Sequence, residues 1–294
     1  MEYYILRNKK MPWGDYGEVL YAGLNSLDKK NGNYYVSRTA PFVPKIYRDR
    51  YQSLYAGRHE PVLFVTETFK EKLEKVNFKD ISFRQAVKDR IVSLEWEKWD
   101  LTAREPAIYP SGDMDAEDYI VRRKHNEKLA AEMEPIWAVV LPKKGFVTRK
   151  TTNENPVLAE QSIGEYDIFS AEYVSHEIFV SEKAVLWFTE NIDDELCFEK
   201  FPVAKVSKEE LYKLQNDYDQ SVIRQEKESK MTEKDWQLYF RLKNEAEKLL
   251  KSIETARREE TKIKWKQKAL ENLKMANEIY PINEREMADF QKLM

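Results

Sequence analysis

A single cysteine, Cys197, stands in a chain of 294 residues. No internal disulfide can form, and the paired-cysteine pattern of a structural zinc site is missing. Glycine is scarce, with eight in the whole chain. The G-x-x-x-x-G-K-[ST] loop that cradles phosphate is absent, and no other glycine-rich loop replaces it. The three histidines, His59, His125 and His176, form no HExxH pair, and no G-x-S-x-G elbow is present. No run approaches the roughly 18 apolar residues that a membrane span requires. The opening MEYYILRNKK starts acidic and is too briefly apolar to act as a secretion signal. Neither sign of charge dominates: the net is −3, which argues against nucleic acid as the main partner. These absences lead us to expect a soluble, cytoplasmic protein without metal, cofactor or membrane contact.

What the sequence does hold is apolar and aromatic mass. Hydrophobic residues make up 42% and aromatics 13%, enough for a folded core rather than a disordered chain. The clearest pattern lies between Glu177 and Val206. Ile178-Phe179-Val180 has strand length and composition. Ser181 is placed to cap a helix, and Glu182 sits where the helix dipole favours negative charge. Ala184, Val185, Trp187 and Phe188 give that helix an apolar face, and Leu196 to about Val206 reads as a second strand. An earlier segment repeats the pattern at a constant offset of 115 residues, Thr66 matching Ser181. Leu73 then corresponds to Phe188, Ile81 to Leu196 and Phe83 to Phe198. Pro61 to Val92 therefore also reads as strand, Thr-capped helix and strand, a duplication around 61–92 and 177–206.

Elsewhere, Tyr3–Leu6, Val19–Leu24, Tyr34–Val36 and Ile136–Leu141 read as strands. Met11 to Gly14 and Lys29 to Asn33 read as turns. Pro41 and Pro44 mark an irregular connection leading into a Tyr- and Arg-rich stretch from Tyr47 to Arg58. Glu105 to Asp118 reads as a loop, Ala116 to Glu134 as one helix, and Thr148 to Glu160 as a loop. Cys197, between Leu196 and Phe198, reads as a buried, inert thiol.

Between Val203 and Tyr280 neither glycine nor proline occurs, and the composition is that of helices. One continuous helix from Met231 to Tyr280 would be about 75 Å long, so the two apolar stripes predict a hairpin folding back near Thr255–Thr261. Between Arg241 and Lys274 eleven basic residues face six acidic ones, a local charge of +5 that leaves −8 for the rest. The resulting expectation is an α+β fold: a mixed domain over 1–215 and a helical region over 216–294.

Candidate functional residues lie on the surface. The run Asp113, Asp115, Glu117 and Asp118 superficially suggests calcium, but the glycine and final glutamate of an EF-hand loop are missing. Together with Asp193, Asp194 and Glu195 it forms two acidic clusters on predicted loops. Trp96 and Trp99, with Trp13, are candidate exposed anchors of the kind that dominate binding hot spots.

Glu2-Tyr3-Tyr4-Ile5-Leu6, then Phe179-Val180-Ser181-Glu182 followed by Phe198-x-x-Phe201-Pro202-Val203, resemble a family of bacterial immunity proteins found in polymorphic toxin systems. The likeness covers about the central 30 residues and the first strand, and the helical tail has no counterpart in it. It implies a protein that binds and neutralises a cognate toxin in the producing cell, with no catalysis and no active-site residues of its own. The acidic clusters and tryptophans would then be partner-binding. Two other readings stay open: an adaptor acting through the C-terminal helices, and an enzyme using a carboxylate pair.

Overall fold

The computed structural model describes residues 2–28, 32–49, 61–148, 156–172, 177–253, 256, 258–282, 287–288 and 290–291. The chain has the α+β composition its patterning predicts and divides into two compact units, Met1–Leu211 and Tyr212–Met294. The chain begins with β1 (Tyr3–Asn8), α1 (Asp15–Ala22), β2 (Leu24–Asp28), β3 (Asn33–Ala40), β4 (Ile46–Arg48), β5 (Leu63–Thr66), α2 (Glu67–Val76), β6 (Ser82–Gln85) and β7 (Val87–Ser93). It continues with α3 (Asp118–Val121), α4 (Glu127–Glu132), β8 (Ile136–Val140), β9 (Lys143–Thr148), β10 (Val157–Ala159), β11 (Ile168–Glu172) and β12 (Ile178–Ser181). Then follow α5 (Glu182–Asn191), β13 (Leu196–Phe201), β14 (Val203–Ala204), α6 (Lys208–Lys230), α7 (Glu233–Ile253) and α8 (Glu259–Ile279).

Among the described residues the strands form three sheets, ordered β13-β1-β12-β11-β9-β10-β14, β2-β3-β7 and β4-β5-β8-β6. The four-stranded sheet and one end of the seven-stranded sheet are the same motif. Each runs strand, strand, helix, strand, with a further strand inserted between the second and third. In the first copy that inserted strand is β8, which follows in the chain. In the second it is β1, from the beginning of the chain.

The registers agree residue by residue. Ile46 faces Val65 as Ile168 faces Val180. Val139 lies between Leu63 and Phe83 as Leu6 lies between Ile178 and Phe198. The helix entries agree too. Thr66 N donates to Lys45 O at 3.0 Å and Ser181 N to Asp167 O at 2.8 Å, while Glu67 N donates to Pro135 O and Glu182 N to Glu2 O. The offset of 115 residues seen in the sequence is thus kept through strand, helix and strand.

Alternation along the strands builds the core. Leu63, Val65, Phe69 and Leu73 of one copy and Ile178, Val180, Ala184 and Phe188 of the other all enter a single buried cluster. Burial of each of the larger side chains, Ala184 excepted, contributes about 1.5–3 kcal/mol. The opposite faces separate: Phe64 joins a cluster with α1 and α3, and Phe179 one with Tyr3, Leu158 and Phe169.

Several sequence expectations need correction. Val19–Leu24 is not a strand: Val19 to Ala22 form the buried end of α1. A short continuous apolar run does not distinguish a strand from a buried helix. Gly17 lets the helix approach the preceding turn, because a Cβ there would sit 1.9 Å from the Pro12 carbonyl oxygen. Ala116–Glu134 is two short helices. Between them Asn126 N donates to Ile91 O at 2.7 Å and His125 Nδ1 accepts from Ile91 N at 2.9 Å. These bonds to β7 outcompete helix propensity. Within Thr148–Glu160, β9 extends to Thr148 and β10 covers Val157–Ala159, while 149–155 lie outside the described residues. So do His59, His176, Lys29–Asn31 and most of the Tyr47–Arg58 stretch.

Thr66 occupies the cap position of α2, yet its side chain makes no cap bond. Glu134 does this work instead, its Oε2 accepting from Thr68 N and Thr68 Oγ1 at 3.0 Å each. Ser181 caps α5 as expected, accepting from Ala184 N at 3.2 Å and donating to Asp167 Oδ1 at 2.7 Å. Cys197 lies in a strand, but its side chain faces solvent, because β13 is an edge strand whose inner positions are Leu196 and Phe198.

In the second unit α7 and α8 pair as a hairpin. Tyr239, Leu242, Ala246 and Leu250 pack with Ala269, Leu273 and Ala276, and Tyr280 closes the pair by contacts to Trp236 and Tyr239.

Candidate protein-binding platform

The stretch Asp100–Glu117 contains neither helix nor strand, a length at which an irregular segment inside a folded domain is usually functional or disordered. Here it is fixed. Trp13 Nε1 donates to Ala103 O at 3.0 Å, Tyr119 Oη to Ile108 O at 2.6 Å, and Tyr16 Oη to Met114 O at 2.7 Å. The donor rings form a chain: Trp13 against Trp99, Trp99 against Tyr119, Tyr119 against Tyr16, and Tyr16 against Tyr109, with centroids 5.9, 6.2, 6.1 and 5.7 Å apart. Burial, reinforced by the neighbouring Tyr16, pushes the Tyr119 hydroxyl up to about 12. It therefore stays protonated, and a donor, across the physiological range.

The apex is set by close approach and unusual backbone. Gly112 has φ +116°, and a Cβ on it would lie 2.3 Å from Arg122 Nε. Arg122 bridges Asp118 at 2.9 Å and Asp113 at 3.6 Å. Trp13 and Met114 both adopt φ +68°, a region that costs a bulky residue about 1–3 kcal/mol and persists where its surroundings enforce it. Both belong to this platform. Tyr119 and Ile120 are buried, whereas Leu101, Ile108, Tyr109, Met114 and Val121 are each 38–51% exposed.

The expected partner-binding residues distribute unevenly. Asp113 and Asp115 are exposed on the platform, Glu117 is half-buried, and Asp118 is buried against Arg122. Trp99 is half-buried inside the ring chain. Trp96 is not exposed at all: it is a core residue, donating through Nε1 to Thr39 Oγ1 at 3.0 Å.

The second acidic cluster is an internal clasp. Glu195 is buried, its Oε1 accepting from Lys45 N at 3.3 Å and its carbonyl from Tyr21 Oη at 3.0 Å. Asp193 pairs with Lys45 at 2.7 Å and Asp194 with Lys9 at 3.2 Å. These contacts tie the turn after α5 to β1 and to the approach to β4. Sequence reasoning missed Tyr16, Ile108, Tyr109, Met114 and Tyr119. The available signal was Ile108-Tyr109, an apolar pair between Pro106 and Pro110 in an otherwise polar loop.

Among the described residues, no group of three or more His, Cys, Asp or Glu could hold a metal ion, and no helix is long and apolar enough to cross a membrane. A hollow of about 510 Å³ beside α2 is furnished by the chain itself: Lys70 Nζ lies 4.6 Å from the Trp137 ring centroid and 3.0 Å from Glu74. No family model, curated protein or solved structure matches the chain.

Proposed function

We propose that the protein is a cytoplasmic immunity protein that binds a cognate toxin and neutralises it by occlusion, without catalysis of its own. The observation that carries this reading is the pre-built Leu101–Val121 platform. Four exposed apolar side chains sit on a loop, with Val121 beside it on α3, and the loop's carbonyls are held by the aromatic donors Trp13, Tyr16 and Tyr119. Ordering a loop normally costs affinity, so a loop already ordered in the free protein favours tight association. Exposed aromatic and apolar residues on a fixed support are the groups that dominate binding energy.

The test is growth. Cells expressing the product of the neighbouring gene, with and without this chain, should be rescued by it, and the two proteins should co-purify. Toxicity that the chain does not relieve, or a harmless neighbouring product, overturns the reading. A second reading, an adaptor acting through the C-terminal helices, is favoured by Phe240, Ile263, Leu270 and Met275, all exposed on α7 and α8. Under it, Phe240→Ser with Leu270→Ser abolishes partner capture; under the immunity reading rescue survives both changes.

A further inference from the structure

We infer that the occupant of the Leu101–Val121 platform is a protein segment presenting apolar side chains framed by lysine and arginine. The inference rests on the binding reading above only in taking the occupant to be a protein, and it names that partner's chemistry. Between Asp100 and Arg122 stand six acidic residues, Asp100, Glu105, Asp113, Asp115, Glu117 and Asp118, against Arg104 and Arg122. The resulting −4 exceeds in magnitude the −3 of the entire chain.

Of the two bases, Arg122 is engaged by Asp118 and Asp113. Arg123, next in sequence, acts on the Tyr119 hydroxyl and lines a shallow hollow with Lys124, His125 and Glu127, and Arg90 Nη1 donates to the Val121 carbonyl at 2.6 Å. Asp100 is held in its charged form, its pKa lowered by bonds from the Thr102 hydroxyl and backbone N–H. The positive charges thus gather at the Val121 end, while Tyr109 is bonded to Glu105 and Met114 stands between Asp113 and Asp115, which gives that part of the surface a negative field. A neutral or acidic partner loses by approaching it, whereas a cationic rim gains in encounter rate and in register.

The geometry also names the anchors. The Ile108 carbonyl is held by the Tyr119 hydroxyl and the Met114 carbonyl by the Tyr16 hydroxyl, so Ile108 and Met114 belong to the most firmly supported part of the surface.

The 294-residue chain can be titrated against two fluorescent amphipathic helical peptides, one built of Leu and Lys and the other of Leu and Glu. The Leu/Lys peptide should bind, and binding should weaken as salt rises, as charge attraction at a surface requires. Ile108→Ser combined with Met114→Ser should weaken it at least about tenfold, the loss typical of anchor residues. Asp113→Lys with Asp115→Lys should remove the preference over Leu/Glu. Tyr16→Phe, which keeps the ring and loses the hydroxyl, should give a smaller loss through a less ordered loop.

Equal binding of the Leu/Glu peptide, no binding of either, or Ile108→Ser/Met114→Ser binding like the parent protein overturns the inference; circular dichroism of each variant confirms that it is folded. A chain that rescues growth but ignores the Leu/Lys peptide loses this inference alone. One that binds the peptide but rescues nothing loses the immunity reading alone.

Discussion

The two strand–strand–helix–strand copies have the same register and share one core, yet they hold their helices by different means. In the second copy the cap is local: Ser181 bonds the amide three residues on. In the first, Thr66 stands at the same place without capping, and Glu134, far away in sequence, reaches the helix from the start of β8. Packing at the shared interface therefore defines the motif, and end chemistry is free to drift. The copies differ again where their inserted strand originates, β8 from within the chain and β1 from its start. An insertion between β6 and β8, absent from the second copy, carries the platform.

The comparison is broken most directly in the shared core. Phe188→Ala should cost about 3–5 kcal/mol and its counterpart Leu73→Ala about 2–5 kcal/mol, measured by urea denaturation. Because both residues enter one cluster, each variant should lower the stability of both copies in a single transition. Two separate transitions within Met1–Leu211 would show that the copies are independent.

Next in size is a pH effect peculiar to the first copy. Asp49, one residue past β4, stands where the second copy has Ala171. Burial raises its carboxyl to about 6 against an ordinary 3.8, opposed by the bond it accepts from Val62 N. Between about pH 4 and pH 6 the folded protein keeps a proton that the unfolded chain has released. This group's contribution to stability therefore falls as pH rises through that window. Asp49→Asn should flatten that slope, seen as pH-dependent denaturation midpoints; an unchanged slope would assign it to other groups.

The caps sharpen the comparison further. Ser181→Ala should cost about 1 kcal/mol, Glu134→Ala a similar amount, and Thr66→Val less than about 0.5 kcal/mol, again by denaturation. A Thr66→Val loss as large as that of Ser181→Ala would restore symmetry between the two helix ends. Smallest of all, Cys197 stands at the exposed position that Ser82 occupies in the first copy. Cys197→Ser should leave stability within about 0.5 kcal/mol, as for surface substitutions generally. The native thiol should react with a disulfide reagent, slowly because desolvation holds it above its ordinary range. Labelling only after unfolding would place it in the core.

Much was legible in the residues because the signals are local. A helix cap, an apolar stripe and a strand of alternating burial act over a few positions, so the second copy, its echo at Thr66 and Phe83, and the helical hairpin all follow from spacing. The platform was half legible: Pro106, Pro110, Gly112 and the aspartates marked a loop, but nothing nearby in sequence marked it as ordered. Its order comes from Trp13 and Tyr16, about 90 to 100 positions away. Trp96 and Glu195 misled for the same reason. A tryptophan or a carboxylate carries no local sign of whether tertiary packing will bury it, and here Thr39 and Lys45 supply the partners that make burial possible.

Residue patterns alone were enough for the α+β class and for the absence of a metal or phosphate-loop signature, and they pointed to the duplicated motif that the strand registers then established. Each depends on residue type at short spacing, where backbone geometry leaves few choices. It took the folded arrangement to show that β1 completes the second copy, that Asp193–Glu195 is a clasp, and that Leu101–Val121 carries a pre-ordered apolar surface. Those outcomes depend on which distant groups meet, and a hydrogen bond or a buried ring is worth nothing until its partner arrives.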